Sequence, residues 1–262
     1  MKKFLSLILA GTLALSLAAC GGGGNTAEQS TEAAGGGESY IIATDTAFAP
    51  FEFTDANNEF VGIDVDLMNA IAEDQGFTVE WRSLGFDAAM AAVESGQADG
   101  CIAGASITDK RKETYDFSEA YYDSYVCVAV AENSDIAGFE DLKGQKVAAK
   151  TGTMGAECAE SLKDQYGYEI TYFDQSDMMY QDVVTGNTVA CFEDQPVMAY
   201  NCQQGNGLKI VADQKDDYST PYGFVVLKGQ NAELLEKFNA GLKSLKDSGK
   251  YDEIVAKYTG TN

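Results

Sequence analysis

No histidine occurs anywhere in the 262 residues. That excludes imidazole general bases, Ser-His-Asp triads and most zinc sites. Cations are scarce as well: 18 Lys and Arg stand against 41 Asp and Glu, a formal charge of −23. Such an acidic surface disfavours nucleic acid, which needs a basic footprint, and favours solubility. The six cysteines contain no CxxC pair. Cys101, Cys127 and Cys191 lie inside apolar runs, where a free cysteine packs as a small hydrophobe. With Cys20 set aside, Cys101, Cys127, Cys158, Cys191 and Cys202 make an odd, irregularly spaced set that gives no disulfide framework. Mostly free, buried thiols are expected, although export would allow some to oxidise. No metal site, cofactor or catalytic residue is assigned.

What is present begins with a short charged start, Lys2 and Lys3, followed by an apolar run from Phe4 to Leu17 broken only by Ser6, Gly11, Thr12 and Ser16. This is the layout of an export signal, and the run is shorter than the roughly 20 residues that span a bilayer. Leu17-Ala18-Ala19-Cys20 resembles the bacterial lipoprotein cleavage box, which implies lipidation of Cys20 and a new N-terminus there. The alternative is an ordinary signal peptide with a chance cysteine. Two or more acyl chains anchor a protein stably. Removing residues 1–20 takes away two lysines and no acid, so −23 becomes −25. Residues 21–38, rich in Gly, Ala, Thr, Ser and Glu, bury too little to offset their ordering entropy and are expected to form a flexible tether.

The remaining residues, roughly 220, suit two lobes of about 100 residues each. Strand-like and helix-like segments alternate. Ser39 to Thr44 is a β-branched run, and Ile63 to Gln75 carries Leu67, Ala70 and Ile71 on one helical face. Thr78 to Arg82 reads as a strand, Phe86 to Glu94 as a helix ended by Ser95-Gly96, and Asp99 to Ala103 as a buried strand. This βαβαβ rhythm predicts a mostly parallel sheet covered by helices. It restarts with strands at Ser124–Ala131, Lys146–Lys150, Glu169–Phe173 and Val189–Phe192, and helices at Met154–Tyr166, Ser176–Thr185 and after Pro196. No convincing sequence repeat links the halves. Tyr222–Leu227 reads as a last strand, and Asn231–Ser248 and Lys250–Tyr258 as amphipathic helices returning to the first lobe. The expected fold class is α/β. Lobe 1 is expected over residues 39–123 plus 221–262 and lobe 2 over 124–220, with a cleft between them that suits a ligand.

Four segments, DTAFAPFEF (Asp45 to Phe53), GIDVDL (Gly62 to Leu67), SITDKR (Ser106 to Arg111) and DFSEAYYDS (Asp116 to Ser124), occur in this order and spacing. Together they resemble the polar amino-acid-binding members of the periplasmic substrate-binding proteins of ABC importers, over residues 39–259, with the glutamine-binding and lysine/arginine/ornithine-binding proteins nearest. The resemblance implies a two-lobe periplasmic-binding-protein fold, a hinge near Tyr122–Tyr125 and Ser219–Tyr222, and a membrane permease as partner.

It also implies roles. Arg111 matches the arginine that grips the ligand carboxylate, a fork of donors suited to that group; on its own it reads more readily as a solvated member of the run Lys110–Lys112, and the surrounding motif reverses that preference. Asp194 matches the aspartate that pairs with the ammonium, and its alternative is a helix cap before Pro196. Gly104 and Ser106 match residues that offer a backbone carbonyl and a hydroxyl oxygen as acceptors for the ammonium, though Gly104 also suits a tight turn. Phe48 and Phe86 match the aromatic walls, with core packing as the alternative. Asp45 matches the residue that meets the ligand side chain. Lys150 matches a lysine of glutamine-binding proteins that would repel a cationic ligand, or else is a solvated strand end. Thr151, Thr153 and Met154 open a helix whose free N–H groups suit a carboxylate; TGTMG lacks the Gly-Lys-Ser/Thr ending of a phosphate loop. Glu193 and Met154 depart from the glutamine pattern, standing where those proteins carry histidine and glycine, and both are expected to reshape the side-chain end of the pocket.

The expected function is capture of a free polar amino acid, glutamine favoured, by a lipid-anchored monomer at the outer face of a bacterial membrane, without catalysis. A cyclohexadienyl-type dehydratase is the enzyme alternative, because some share this fold, with Glu193 as its acid. An amino-acid sensor is the third; the lack of a further span before Asn262 speaks against a fused receptor.

Overall fold

The computed structural model describes residues 38–260, which fall within one compact unit. The export signal, Cys20 and most of the tether lie outside the described residues. The chain enters on β1 (Ser39–Thr44), then makes a small antiparallel ribbon of β2 (Ala47–Phe48), β3 (Glu52–Thr54) and β4 (Phe60–Val61). Helix α1 (Ile63–Gln75), β5 (Thr78–Ser83), α2 (Phe86–Glu94), β6 (Gly100–Cys101) and β7 (Tyr115–Phe117) follow. The chain crosses to β8 (Val126–Ala131), β9 (Lys146–Lys150), α3 (Met154–Tyr166), β10 (Glu169–Phe173), α4 (Ser176–Val184), β11 (Ala190–Asp194), α5 (Gln195–Gln203) and β12 (Leu208–Asp213). It returns through β13 (Val225–Leu227), α6 (Ala232–Ser248) and α7 (Lys250–Thr259).

Two five-stranded sheets result, ordered β5-β1-β6-β13-β7 and β10-β9-β11-β8-β12. They are mixed, which corrects the expectation of mostly parallel sheets. In each, three strands from the βαβαβ run are parallel, and the strand that arrives by crossing from the other lobe, β13 in the first sheet and β8 in the second, pairs antiparallel with the neighbour on either side. The apolar face of α1, with Leu67, Met68 and Ile71 buried, packs against Leu234, Phe238 and Leu242 of α6 in one core. The other lobe's core gathers Val128, Val147, Phe192 and the inner face of α3. All five cysteines after Cys20 are free, and only Cys202 is not fully buried.

The sheets also reveal a structural repeat. The run β1-α1-β5-α2-β6 recurs as β9-α3-β10-α4-β11, with α1 and α3 of 13 residues each and α2 and α4 of nine each. Placing Asp87 on Asp177, Val93 on Val183, Gly96 on Gly186 and Cys101 on Cys191 brings the two burial patterns into register. Few other positions share chemistry, which is why no repeat was visible in the sequence: burial was kept while residue identities diverged.

The segments joining the lobes run antiparallel. Bridges link Tyr122 to Tyr222 and Tyr125 to Ser219, with Tyr222 N donating to Tyr122 O at 2.7 Å and Thr220 N to Ser124 O at 3.0 Å. Two strands of backbone joined by a few bonds are the kind of connection that absorbs a hinge rotation.

Candidate functional site

The carboxyl ends of β1, β6, β9 and β11 converge on the cleft, so the residues that follow them face one another. A narrow cavity lies there, lined by Asp45, Phe48, Phe86, Ala103, Gly104, Ser106, Arg111, Lys150, Thr153, Met154 and Asp194. Nine of the ten predicted ligand-site residues are in that lining. The tenth, Glu193, is not. Successive strand residues point to opposite faces, so with Asp194 turned into the cavity Glu193 turns behind it, where it accepts from Tyr180 Oη at 2.8 Å and Asp194 N at 2.9 Å. Ala103 and Thr153 line the cavity without having been assigned to it. Thr153 carried a signal, since its hydroxyl caps α3 by accepting from Ala156 N at 3.2 Å; Ala103 carried none.

Arg111 sits in a single 3-10 turn, Arg111–Glu113. Its Nη1 donates to Ser106 O and its Nη2 to Gly152 O, both at 2.9 Å, so the guanidinium spans the cleft. Its carbon lies 5.2 Å from the centre of the Phe86 ring, a cation–π distance. Phe48 forms another wall. Gly104 has φ 55°, and a Cβ there would come within 2.5 Å of the Phe48 ring; only glycine lets the ring lie so close to the backbone.

Lys150 and Asp45 meet across the cleft in a direct ion pair that the sequence did not pair up, with side chains 2 % and 1 % exposed. Lys150 Nζ also stands 5.0 Å above the Phe48 ring. Asp194 accepts from Tyr222 Oη. Burial, and then the neighbouring Glu193 carboxyl, push Asp194 well above the usual carboxylate range. Burial draws Arg111 the other way, downward, but it remains a cation. These contacts, with Lys110 to Glu157 at 3.1 Å and Asn201 Nδ2 to Ala49 O at 3.3 Å, hold the lobes closed.

Residues 40–261 match the bacterial extracellular solute-binding proteins, family 3. The chain belongs to that family. Among relatives, the "Probable histidine-binding protein" of Neisseria gonorrhoeae is 33 % identical over 98 % of this chain and 96 % of its own length. Among solved structures, an ancestral arginine-binding protein bound to glutamine is 36 % identical, covers 85 % of this chain and 98 % of its own, and has a TM-score of 0.78. Substrate-binding domain 2 of GlnP from Lactococcus lactis, in an open conformation, is 40 % identical over 86 % of this chain and 97 % of its own, yet has a TM-score of only 0.59. Higher identity with a lower structural score is what a rotation of rigid lobes produces, in accord with the closed cleft here. The family 3 fold is a two-lobe, hinged, amino-acid-binding architecture of ABC importers.

Proposed function

We propose that this chain captures a free polar L-amino acid, with L-glutamine favoured over cationic amino acids, and delivers it to an ABC permease. One observation carries the choice of ligand: the buried Lys150–Asp45 pair. A cationic side chain needs a free carboxylate at the far end of the site, and Asp45 already has its cation. A neutral amide can bond to both members of the pair without displacing either. In the same proposal Arg111 holds the ligand carboxylate, Asp194 with the Gly104 carbonyl and the Ser106 hydroxyl holds the ammonium, and Phe48, Phe86 and Met154 wall in the aliphatic part. Ligand bridging Arg111 and Asp194 favours the closed state through contacts the open state lacks.

The proposal extends to the lobe boundaries (39–123 with 221–262, and 124–220), the export signal over residues 1–20, lipidation of Cys20, the tether over 21–38 and a monomeric state. Binding rather than dehydration is favoured because Glu193, the acid a dehydratase would need, is held by Tyr180 behind the cavity. Calorimetric titration of residues 38–262, unfolded and refolded to strip carried-over ligand, tests the whole. L-glutamine is expected to bind at micromolar concentration or tighter, and L-arginine far more weakly. Tight L-arginine binding would overturn the ligand choice, and turnover of prephenate or arogenate would revive the enzyme.

Two further outcomes follow. Phe48→Ala is expected to weaken binding on the order of tenfold or more, because an apolar wall and the contact with Lys150 are both lost; titration of the folded variant checks it. Acidification is expected to weaken binding too. The ammonium needs ionised Asp194, whose raised pKa means that lowering the pH protonates it in the free protein, so binding in mild acid must release a proton. Titration in two buffers of different ionisation enthalpy measures that release, and a pH-independent affinity would remove Asp194 from the ammonium site.

A further inference from the structure

Behind the cavity wall lies a second pair of acids that ligand capture leaves without a task. Its placement starts at Gly62, where a Cβ would come within 2.0 Å of the Phe51 carbonyl oxygen. Glycine alone permits that approach. It lets Ile63 N donate to Pro50 O and Asp64 N to Phe51 O, both at 2.9 Å, and so lays the first turn of α1 against β3. The side chains of Asp64 and Glu52 are brought together, each 0 % exposed. Asp64 Oδ2 accepts from Gly104 N at 2.9 Å and from Tyr121 Oη at 2.8 Å. Asp64 Oδ1 and both Glu52 oxygens have no hydrogen-bond partner, and each of the two buried carboxyl groups acts on the other's protonation.

Ionised carboxylates are acceptors only. Two of them facing each other in a dry core require a proton between them. Asp64 already takes two donors on one oxygen, which favours its ionised form, so Glu52 is the carrier. The groups around the pair do not change this. Asp45 from the segment after β1, Lys150 from β9, Cys101 from β6 and Tyr121 face it, and Lys150, the cation among them, is spent on Asp45. Burial, then the charges of Asp64 and Asp45, push the Glu52 carboxyl well above the usual range. Burial lifts Asp64 to about 6, opposed by the donors Gly104 and Tyr121.

We propose that Glu52 and Asp64 share one proton carried by Glu52, and that the pair is a positioning element fixing the Gly104 peptide in the ligand site. Asp64 grips the Gly104 amide, and the protonated Glu52 keeps Asp64 in place without adding a second buried charge. That Gly104, anchored by its N–H, then offers its carbonyl to a ligand ammonium rests on the amino-acid reading above; the shared proton does not.

Three measurements on residues 38–262 test it. In ligand-free protein at neutral pH, the wild-type minus Glu52→Gln infrared difference spectrum, in which any contribution from Asp194 cancels, is expected to show a protonated carboxylic-acid carbonyl; a difference spectrum without that band overturns the assignment of the proton. For the second, Glu52 has a raised pKa in the folded protein, so its contribution to stability is full below the ordinary glutamate range and is lost as pH rises through the folded value. The melting temperature of Glu52→Gln should therefore gain on wild type as pH rises, and parallel curves refute the pair. In titration with L-glutamine, Glu52→Gln, which keeps a donor to Asp64, is expected to bind within about twofold of wild type, and Glu52→Leu about tenfold more weakly. Equal affinities for wild type and Glu52→Leu overturn the positioning role. Failure of wild type itself to bind L-glutamine would count against the ligand assignment instead, and the infrared and melting results would still decide the proton.

Discussion

Arg111→Ala is expected to lower amino-acid affinity by at least about a hundredfold while leaving the fold intact. The magnitude follows from burial. In the closed cleft the guanidinium is positioned by two carbonyls, Ser106 O and Gly152 O, and by the face of Phe86. A ligand carboxylate entering that space gives up its water and gains a fork of two N–H donors. Removing one partner of such a pair leaves a buried, unpaired charge, at a cost of about 3–5 kcal/mol. Arg111→Lys is expected to recover only part of the loss, since an ammonium keeps the charge but not the fork. The folded state has little stake in this residue, because Arg111 sits on a single 3-10 turn at the cleft edge rather than in either core. Calorimetry with a melting curve of each variant separates the two effects. Unchanged affinity in Arg111→Ala would mean that the ligand does not enter this cavity.

The hydrophobic periodicity and glycine stops made the helices legible: Ile63–Gln75, Phe86–Glu94 and Met154–Tyr166 have the bounds the sequence suggested. Short strands were less legible. The strand read over Asp99–Ala103 shrinks to Gly100–Cys101, because the backbone beyond it turns to line the cavity instead of continuing the ladder. Leu208–Asp213 escaped notice because its partly exposed, mixed residues lack a clean two-residue alternation. For the site, motif order located individual residues but not their pairings. Asp45 and Lys150 lie 105 positions apart, and nothing local to either signals the other. The same limit hid the contact of Tyr222 with Asp194 and that of Glu52 with Asp64, which depends on one backbone approach at Gly62.

Replacing Lys150 with methionine should convert the specificity of the site. The pair it forms with Asp45 is buried on both sides, so the variant leaves a carboxylate without a cation in the closed cleft. A neutral ligand cannot relieve that cost, which is about 3–5 kcal/mol for an uncompensated buried charge. A ligand that brings its own cation can. L-arginine and L-lysine are therefore expected to gain on the order of a hundredfold in affinity relative to wild type, while L-glutamine weakens because closure now strands Asp45. Methionine keeps an unbranched chain of similar length against Phe48, so the wall facing the cavity is preserved. The double variant Asp45→Asn with Lys150→Met removes the stranded charge and should lose the gain for cationic ligands. If Lys150→Met still rejects L-arginine and L-lysine, then Asp45 does not meet the ligand side chain, and the determinant lies elsewhere in the lining, with Met154 and Thr153 next to be changed.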